Sequence, residues 1–158
     1  MRKVVVNTTP LISLANVSQL DILKKLYDEI MVPPAVIDEI KSQPAKSIVS
    51  ESKWIRVIPL SQEEDKGLFR AKLHSGEVEV MLLAKEQNAD LVIMDDNAAK
   101  KTAKFMGLNV TGTLGVLIRA KSEGYIREVK PIIQAIIADG FYVDEKTVQY
   151  VLEEAGED

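Results

Sequence analysis

The chain contains no cysteine and a single histidine, His74, in 158 residues. Without thiols there is no disulfide, no thiolate nucleophile and no Cys-ligated zinc or iron–sulfur centre, and the absence fits a reducing compartment. One histidine excludes an H-E-x-x-H metal motif and leaves His74 as the sole residue on which a Ser-His-Asp triad could be built. Long apolar runs are missing too. The stretch Val4-Val5-Val6 turns polar at Asn7-Thr8-Thr9, too short for the core of a signal peptide, and no segment approaches the ~20 apolar residues that span a bilayer. The expected location is the cytoplasm, with no membrane. Nor is there an excess of positive charge: 20 Lys+Arg against 24 Asp+Glu give a formal charge of −4. A nucleic acid would therefore have to meet a local basic patch. Chemistry falls to carboxylates, hydroxyls, amides and a bound metal.

What is present reads as one globular domain over 1–158, with 46% apolar and 28% charged residues and no repeat or linker. Short β-branched runs at Val4–Val6, Ile30–Val32, Ile55–Ile58, Leu91–Met94 and Asn109–Val110 predict strands. Helical periodicity covers Leu11–Ala15, Leu20–Leu26, Ala35–Lys41, Glu63–Leu73, Glu77–Gln87, Ala98–Met106, Leu114–Ser122, Val129–Ala138 and Lys146–Glu154. The β-α alternation argues for an α/β domain with a parallel sheet of about five strands, and near-continuous apolar strands agree, because such strands are covered on both faces. Thr9-Pro10 and Pro33-Pro34 read as helix starts, and Gly107 and Gly124 as helix stops. Ser42–Ser47, polar and broken by Pro44, is the weakest stretch, either a mobile loop or a loosely packed helix.

Some carboxylates point inward. At 100° per residue, Glu77 lies within about 60° of Val80, Met81 and Ala84, in the apolar stripe of its helix, while Glu79 falls on the polar side with Glu86. Glu39 falls beside Ile40 as the semi-buried acid of its helix, and Asp38 points away. Asp95 and Asp96 follow one apolar strand and Asn7 another, and in open parallel sheets ligands bind outside the carboxyl ends of strands where strand order reverses. If Glu39 and Glu77 converge there with Asp95, three carboxylates and one amide meet. Two unit charges ~4 Å apart repel by about 4 kcal/mol at an effective dielectric of ~20, so such a cluster needs a cation or raised pKa values. Oxygen donors without His or Cys select Mg²⁺ or Mn²⁺ over zinc.

The run Val4-Val5-Val6-Asn7-Thr8-Thr9-Pro10-Leu11-Ile12, then Val32-Pro33-Pro34-Ala35-Val36-Ile37-Asp38-Glu39-Ile40, Gly76-Glu77-Val78-Glu79 and Leu91-Val92-Ile93-Met94-Asp95-Asp96 together resemble the PIN domain (PilT N-terminal domain). The tail, through Val110-Thr111-Gly112-Thr113-Leu114-Gly115 and Gly140-Phe141-Tyr142, is similar to a prokaryotic PIN-like subfamily. The resemblance implies a three-layer fold with strand order 3-2-1-4-5 and helices on both faces. It implies a Mg²⁺- or Mn²⁺-dependent nuclease, most often an endoribonuclease acting on RNA and often the toxin of a toxin–antitoxin pair. It places catalytic acids at Glu39, Glu77 and Asp95, and metal ligands at these three with Asn7 and the adjacent Asp96. One position departs from the pattern. The first strand of an active PIN domain ends in Asp, and here it ends in Asn7, which offers a carbonyl but no charge. A catalytically weak or inactive binding module is therefore the alternative reading.

Each of these residues has a plainer role open to it. Glu77 suits the first turn of a helix, Asp95 or Asp96 can cap the helix from Asn97, Glu39 can be a helix-edge residue and Asn7 a turn former. Thr8, Thr111, Thr113 and Lys100 are the substrate-side candidates. Thr8 and Thr9 can also bond backbone at a helix start, and Thr113 can cap the helix from Leu114. Lys100, Lys101, Lys104, Arg119 and Lys121 form either a basic rim for RNA or solvated helix faces. His74 reads as a surface residue, and Thr111–Gly115 lacks the Gly-Lys-Ser/Thr ending of a phosphate loop. An acidic pair after a strand is also a receiver signature, but here it follows the fourth strand. A small antitoxin placing a cation or an apolar helix near the acids is the partner expected of a toxin. Ile132, Ile133, Ile136 and Ile137 are read first as core and second as a homodimer face.

Overall fold

The computed structural model describes residues 2–61 and 75–158. Five strands, β1 (Val4–Val6), β2 (Ile30–Val32), β3 (Ile55–Val57), β4 (Leu91–Ile93) and β5 (Val110–Thr111), form one sheet in the order β3-β2-β1-β4-β5. All neighbours are parallel, with Val5 opposite both Met31 and Val92. Helices α1 (Thr8–Asn16) and α2 (Asp21–Tyr27) join β1 to β2, and α3 (Pro34–Glu39) and α4 (Ala45–Glu51) join β2 to β3. Then α5 (Ser75–Glu86) precedes β4, α6 (Asn97–Phe105) joins β4 to β5, and α7 (Thr113–Ser122), α8 (Lys130–Ala138) and α9 (Glu145–Glu154) follow. Helices cover both faces of the sheet. Val4, Val5, Val6, Val92, Ile93, Leu11 and Leu14 are at most 1% exposed, so the core runs through the central strands into α1.

Several boundaries differ from the sequence reading. The first helix starts at Thr8, with Asn7 as its extended N-cap, not at Thr9-Pro10. Pro10 is tolerated because the first helical N–H groups have no intrahelical acceptor. Ser42–Ser47 is not a loop throughout, since α4 begins at Ala45, and Ala45 and Val49 are buried in the core. The last strand begins one residue later, at Val110. Pro34 does open α3 at its first turn, and Gly107 and Gly124 follow α6 and α7 with φ of +83° each, a left-handed conformation that favours glycine after a helix. The helix expected over Glu63–Leu73, and His74, lie outside the described residues. Of the isoleucines, Ile133 and Ile136 are core while Ile137 is 39% exposed. No helix among the described residues is long and apolar enough to cross a membrane.

Chain order places a gap at the middle of this sheet. From β1 the chain builds outward through β2 to β3 on one side, and later through β4 to β5 on the other. The exits of β1 and β4 therefore diverge on opposite sides of a crevice, where this architecture binds ligands.

Candidate active site

Asn7 and Asp95 stand on the two lips of that crevice. Val6 pairs with Ile93, and the Asn7 N–H donates to the Ile93 carbonyl at 2.9 Å, so the ladder ends with Asn7 beside the Met94-Asp95 exit. Asn7 is 5% exposed and its side chain makes no capping hydrogen bond to α1. The next residue, Thr8, reaches across to α3: its hydroxyl donates to Glu39 Oε2 at 3.4 Å.

Glu39 is not the semi-buried acid that its helical face suggests. It is exposed, because α3 ends at Glu39, two residues earlier than its periodicity indicates, and the side chain leaves from the helix terminus into the crevice. There its carboxylate lies against the start of α5, so close that a Cβ at Gly76 would overlap Oε1. Glycine leaves room for the carboxylate at this contact, and a larger residue would displace the Glu39 side chain. Glu77 follows in the first turn of α5 at 9% exposure, inward as the wheel suggests. Glu79 departs from the wheel at 7% exposure. Every residue from Gly76 to Met81 is buried, so the first half of α5 is enclosed on more than its apolar face.

Asp95 is held on both oxygens by one residue. The Thr113 N–H donates to Oδ1 at 2.8 Å and the Thr113 hydroxyl to Oδ2 at 2.7 Å, tying the β4 exit to the start of α7. Burial raises the Asp95 pKa above its ordinary value, while the two Thr113 bonds and the nearby Lys100 ammonium oppose that rise. A Cβ at Gly112 would stand 2.8 Å from Asp95 Oδ1 and 2.9 Å from Lys100 Nζ, so the glycine lets the ammonium and the carboxylate share one small space. Thr113 itself is 0% exposed with both donors used on Asp95, which makes it a positioning residue and not a rim contact. Asp96 is exposed and caps α6, accepting from the Ala99 N–H at 2.9 Å. Of the pair, Asp95 turns into the crevice and Asp96 serves the helix. Thr111 and Lys100 line the adjoining groove. In the basic set, Arg119 pairs with Glu123 at 2.7 Å and Lys121 with Glu157 at 2.9 Å, leaving Lys100 and Lys104 as the cations on that groove.

The donor set is all hard oxygen, which fits Mg²⁺ or Mn²⁺ by chemistry. The spacing does not make a closed cage: among the described residues no three acidic or His side chains stand close enough to hold an ion. These facts agree with the usual Mg²⁺ arrangement, in which one or two carboxylates act together with waters and substrate phosphates. Sequence reasoning named Lys104 in a basic rim and Phe141-Tyr142 in the tail resemblance. It gave these rings no place at the site and missed Tyr150, although together they form the wall beyond Asp95. The only signal was an aromatic pair after Gly140 in a chain with 5% aromatics.

Residues 3–157 match the family profile described as a PIN domain, so the chain belongs to the PIN-domain family. The family carries a nuclease-type fold, and its domains generally use divalent metals. A comparison with curated proteins finds no significant match.

Proposed function

With PIN-family membership as the premise, we propose that this protein is a Mg²⁺- or Mn²⁺-dependent endoribonuclease that hydrolyses RNA phosphodiester bonds in the crevice between the β1 and β4 exits. One observation supports the reading: Asn7 and Asp95 follow the two strands at which strand order reverses, and Thr8, next to Asn7, bonds Glu39, whose carboxylate lies against Gly76 at the start of α5. A divalent ion bound there supplies Lewis-acid polarisation of the phosphate and an activated water. The chain's own part is orientation. Thr113 fixes both Asp95 oxygens, Thr8 and Gly76 fix Glu39, and Asn7 offers an uncharged carbonyl where a carboxylate would add charge. Lys100, beside Asp95, is placed to meet a phosphate oxygen. Glu39, Glu77 and Asp95 are the catalytic acids of this reading, with Asn7 completing the ligand set and Asp96 reserved for the α6 cap.

Glu39, Glu77, Asp95 and Asn7 would hold the ion in this reading, and a substrate phosphate would supply further oxygen donors. A toxin role, a cytoplasmic location, an antitoxin partner that covers the acids, and a homodimer through the exposed edge of α8 near Ile137 belong to this reading as its biological setting. A second reading, a PIN scaffold that binds RNA without cutting it, is favoured by Asn7. The deciding experiment incubates the protein with mixed RNA in Mn²⁺, beside a chelator control and the Asp95→Asn and Asn7→Asp variants. Cleavage lost in chelator and in Asp95→Asn supports the nuclease. Cutting by Asn7→Asp alone assigns the native chain to the binding module.

A further inference from the structure

Beyond Asp95 and Lys100 extends a groove whose far wall the phosphodiester chemistry does not use. It occupies about 630 Å³ between α6, β5 and the segment leading into α9, continuous with the Asp95 carboxylate. That volume lies within the ~300–1,000 Å³ of typical ligand sites. Its α6 wall presents Lys100 and Lys104, four residues apart and therefore on one helix face. Its opposite wall presents Tyr142, 91% exposed, Tyr150, 60% exposed, and the partly buried Phe141. Phe105 and Tyr125 are exposed singly elsewhere, whereas here Tyr142 and Tyr150 line one groove together with Phe141.

We propose that this groove is a base-stacking subsite for single-stranded RNA, in which Tyr142 and Tyr150 stack on unpaired bases and Lys100 and Lys104 neutralise the phosphates that lead to Asp95. The choice of occupant rests on the nuclease reading above and on three features of the groove. It opens directly onto the candidate catalytic carboxylate. It offers a polyanion two cations four residues apart on α6, with the two carboxylates of the lining placed elsewhere, Asp95 at the β4 exit and Asp144 capping α9. It also sets exposed rings across from those cations, the combination that holds single strands, because every base has a π-face and the ring needs no sequence. A duplex keeps its bases stacked on each other and cannot use the rings. The strand selected is therefore unpaired on the β5 side of the cut, and selection is by strandedness more than by sequence.

The test measures fluorescence anisotropy of a labelled oligouridine of about eight nucleotides, in chelator so that nothing is cut. The full chain is compared with Tyr142→Ala, Tyr150→Ala, Tyr142→Phe, Tyr150→Phe and Lys104→Ala. Each Tyr→Ala change is expected to weaken binding by about 5- to 100-fold, and each Tyr→Phe change by no more than about threefold, since stacking survives. Lys104→Ala is expected to reduce the slope of log affinity against log salt by about 0.7. Both tyrosines are exposed, so an unchanged thermal midpoint accompanies the loss. A duplex of matched length is expected to bind without regard to either tyrosine. Unaltered oligouridine affinity in both Tyr→Ala variants overturns the subsite and turns the groove into a candidate for a protein segment instead. So does a parent chain that binds no single strand. A Mn²⁺ cleavage assay on the parent separates the two readings. Tyrosine-dependent binding without cleavage keeps the subsite and removes the nuclease, and cleavage with tyrosine-independent binding does the reverse.

Discussion

Replacing Thr113 by Val probes the most specific hydrogen-bond arrangement at the site. The change removes the hydroxyl that reaches Asp95 Oδ2 at 2.7 Å and leaves the backbone N–H on Oδ1 at 2.8 Å. Valine has nearly the same shape, and Thr113 is 0% exposed, so no cavity forms and no new surface appears. A hydrogen bond to a charged group contributes about 1.5–3 kcal/mol. Asp95 is only partly buried, so water can reach Oδ2 in the variant and the cost should sit near the low end, about 1.5 kcal/mol. For a domain of this size that lowers Tm by about 3–6 °C. The double-mutant cycle with Asp95→Ala, which removes both acceptor oxygens, isolates the pair from any general effect of either change, and a coupling of about 1 kcal/mol or more is expected. Under the nuclease reading, the loosened carboxylate should also cost about 10- to 100-fold in activity, as loss of an orienting partner commonly does. That loss should fall on kcat, with KM little changed, because Thr113 is fully buried behind Asp95. A Tm shift under about 1 °C together with a coupling below about 0.5 kcal/mol would refute the clamp.

Two other changes test the frame around the site. Glu157 is buried at its side chain, which by itself would raise its pKa. The N–H groups of Val129 and Lys130 and the Lys121 ammonium outweigh that and hold it below the ordinary glutamate value. A lowered folded pKa means that the unfolded chain binds the proton more readily. The stabilisation is therefore complete above the unfolded carboxylate range and is lost as pH falls through the folded value. Glu157→Gln should be about 1–2 kcal/mol less stable than the parent in urea melts at pH 7, with the gap closing in acid. A gap that stays constant with pH would contradict this account. Gly76→Ala should push the exposed, flexible Glu39 carboxylate off the start of α5 with a stability change within about 1 kcal/mol, since Ala also favours the helix. RNA cleavage should fall by more than this change in stability explains, and retained cleavage at full rate would show that Glu39 need not lie there.

Strand positions were legible because parallel strands buried on both faces are short and apolar, as Val4–Val6 and Leu91–Ile93 are, whereas their order came only from the PIN-domain resemblance. Helix ends were less so. Nothing local distinguishes Thr8 from Thr9 as the first helical residue, and α4 follows a stretch whose polar surface hides the inward Ala45 and Val49. The acidic residues were found by two different signals. Glu77 shows in its own helix, since a carboxylate amid Val80, Met81 and Ala84 breaks an apolar stripe. Glu39 does not, because its direction depends on where α3 stops and on the space left by Gly76 some forty residues away. Only the fold brings those two facts together.

The tyrosine wall was illegible for a related reason. Tyr142 and Tyr150 are remote in sequence from Asp95 and share a groove with it only because α7 returns from β5 and α9 packs against it. The same connection passes through Thr113, which fixes Asp95 at one end and begins α7 at the other. One short segment, Val110 to Thr113, therefore sets both the direction of the candidate catalytic carboxylate and the placement of the groove beside it. A site whose strand 1 contributes an amide in place of a carboxylate has less charge with which to hold an ion alone. It gains the most from a neighbouring surface that holds the phosphate chain in place while the ion is shared.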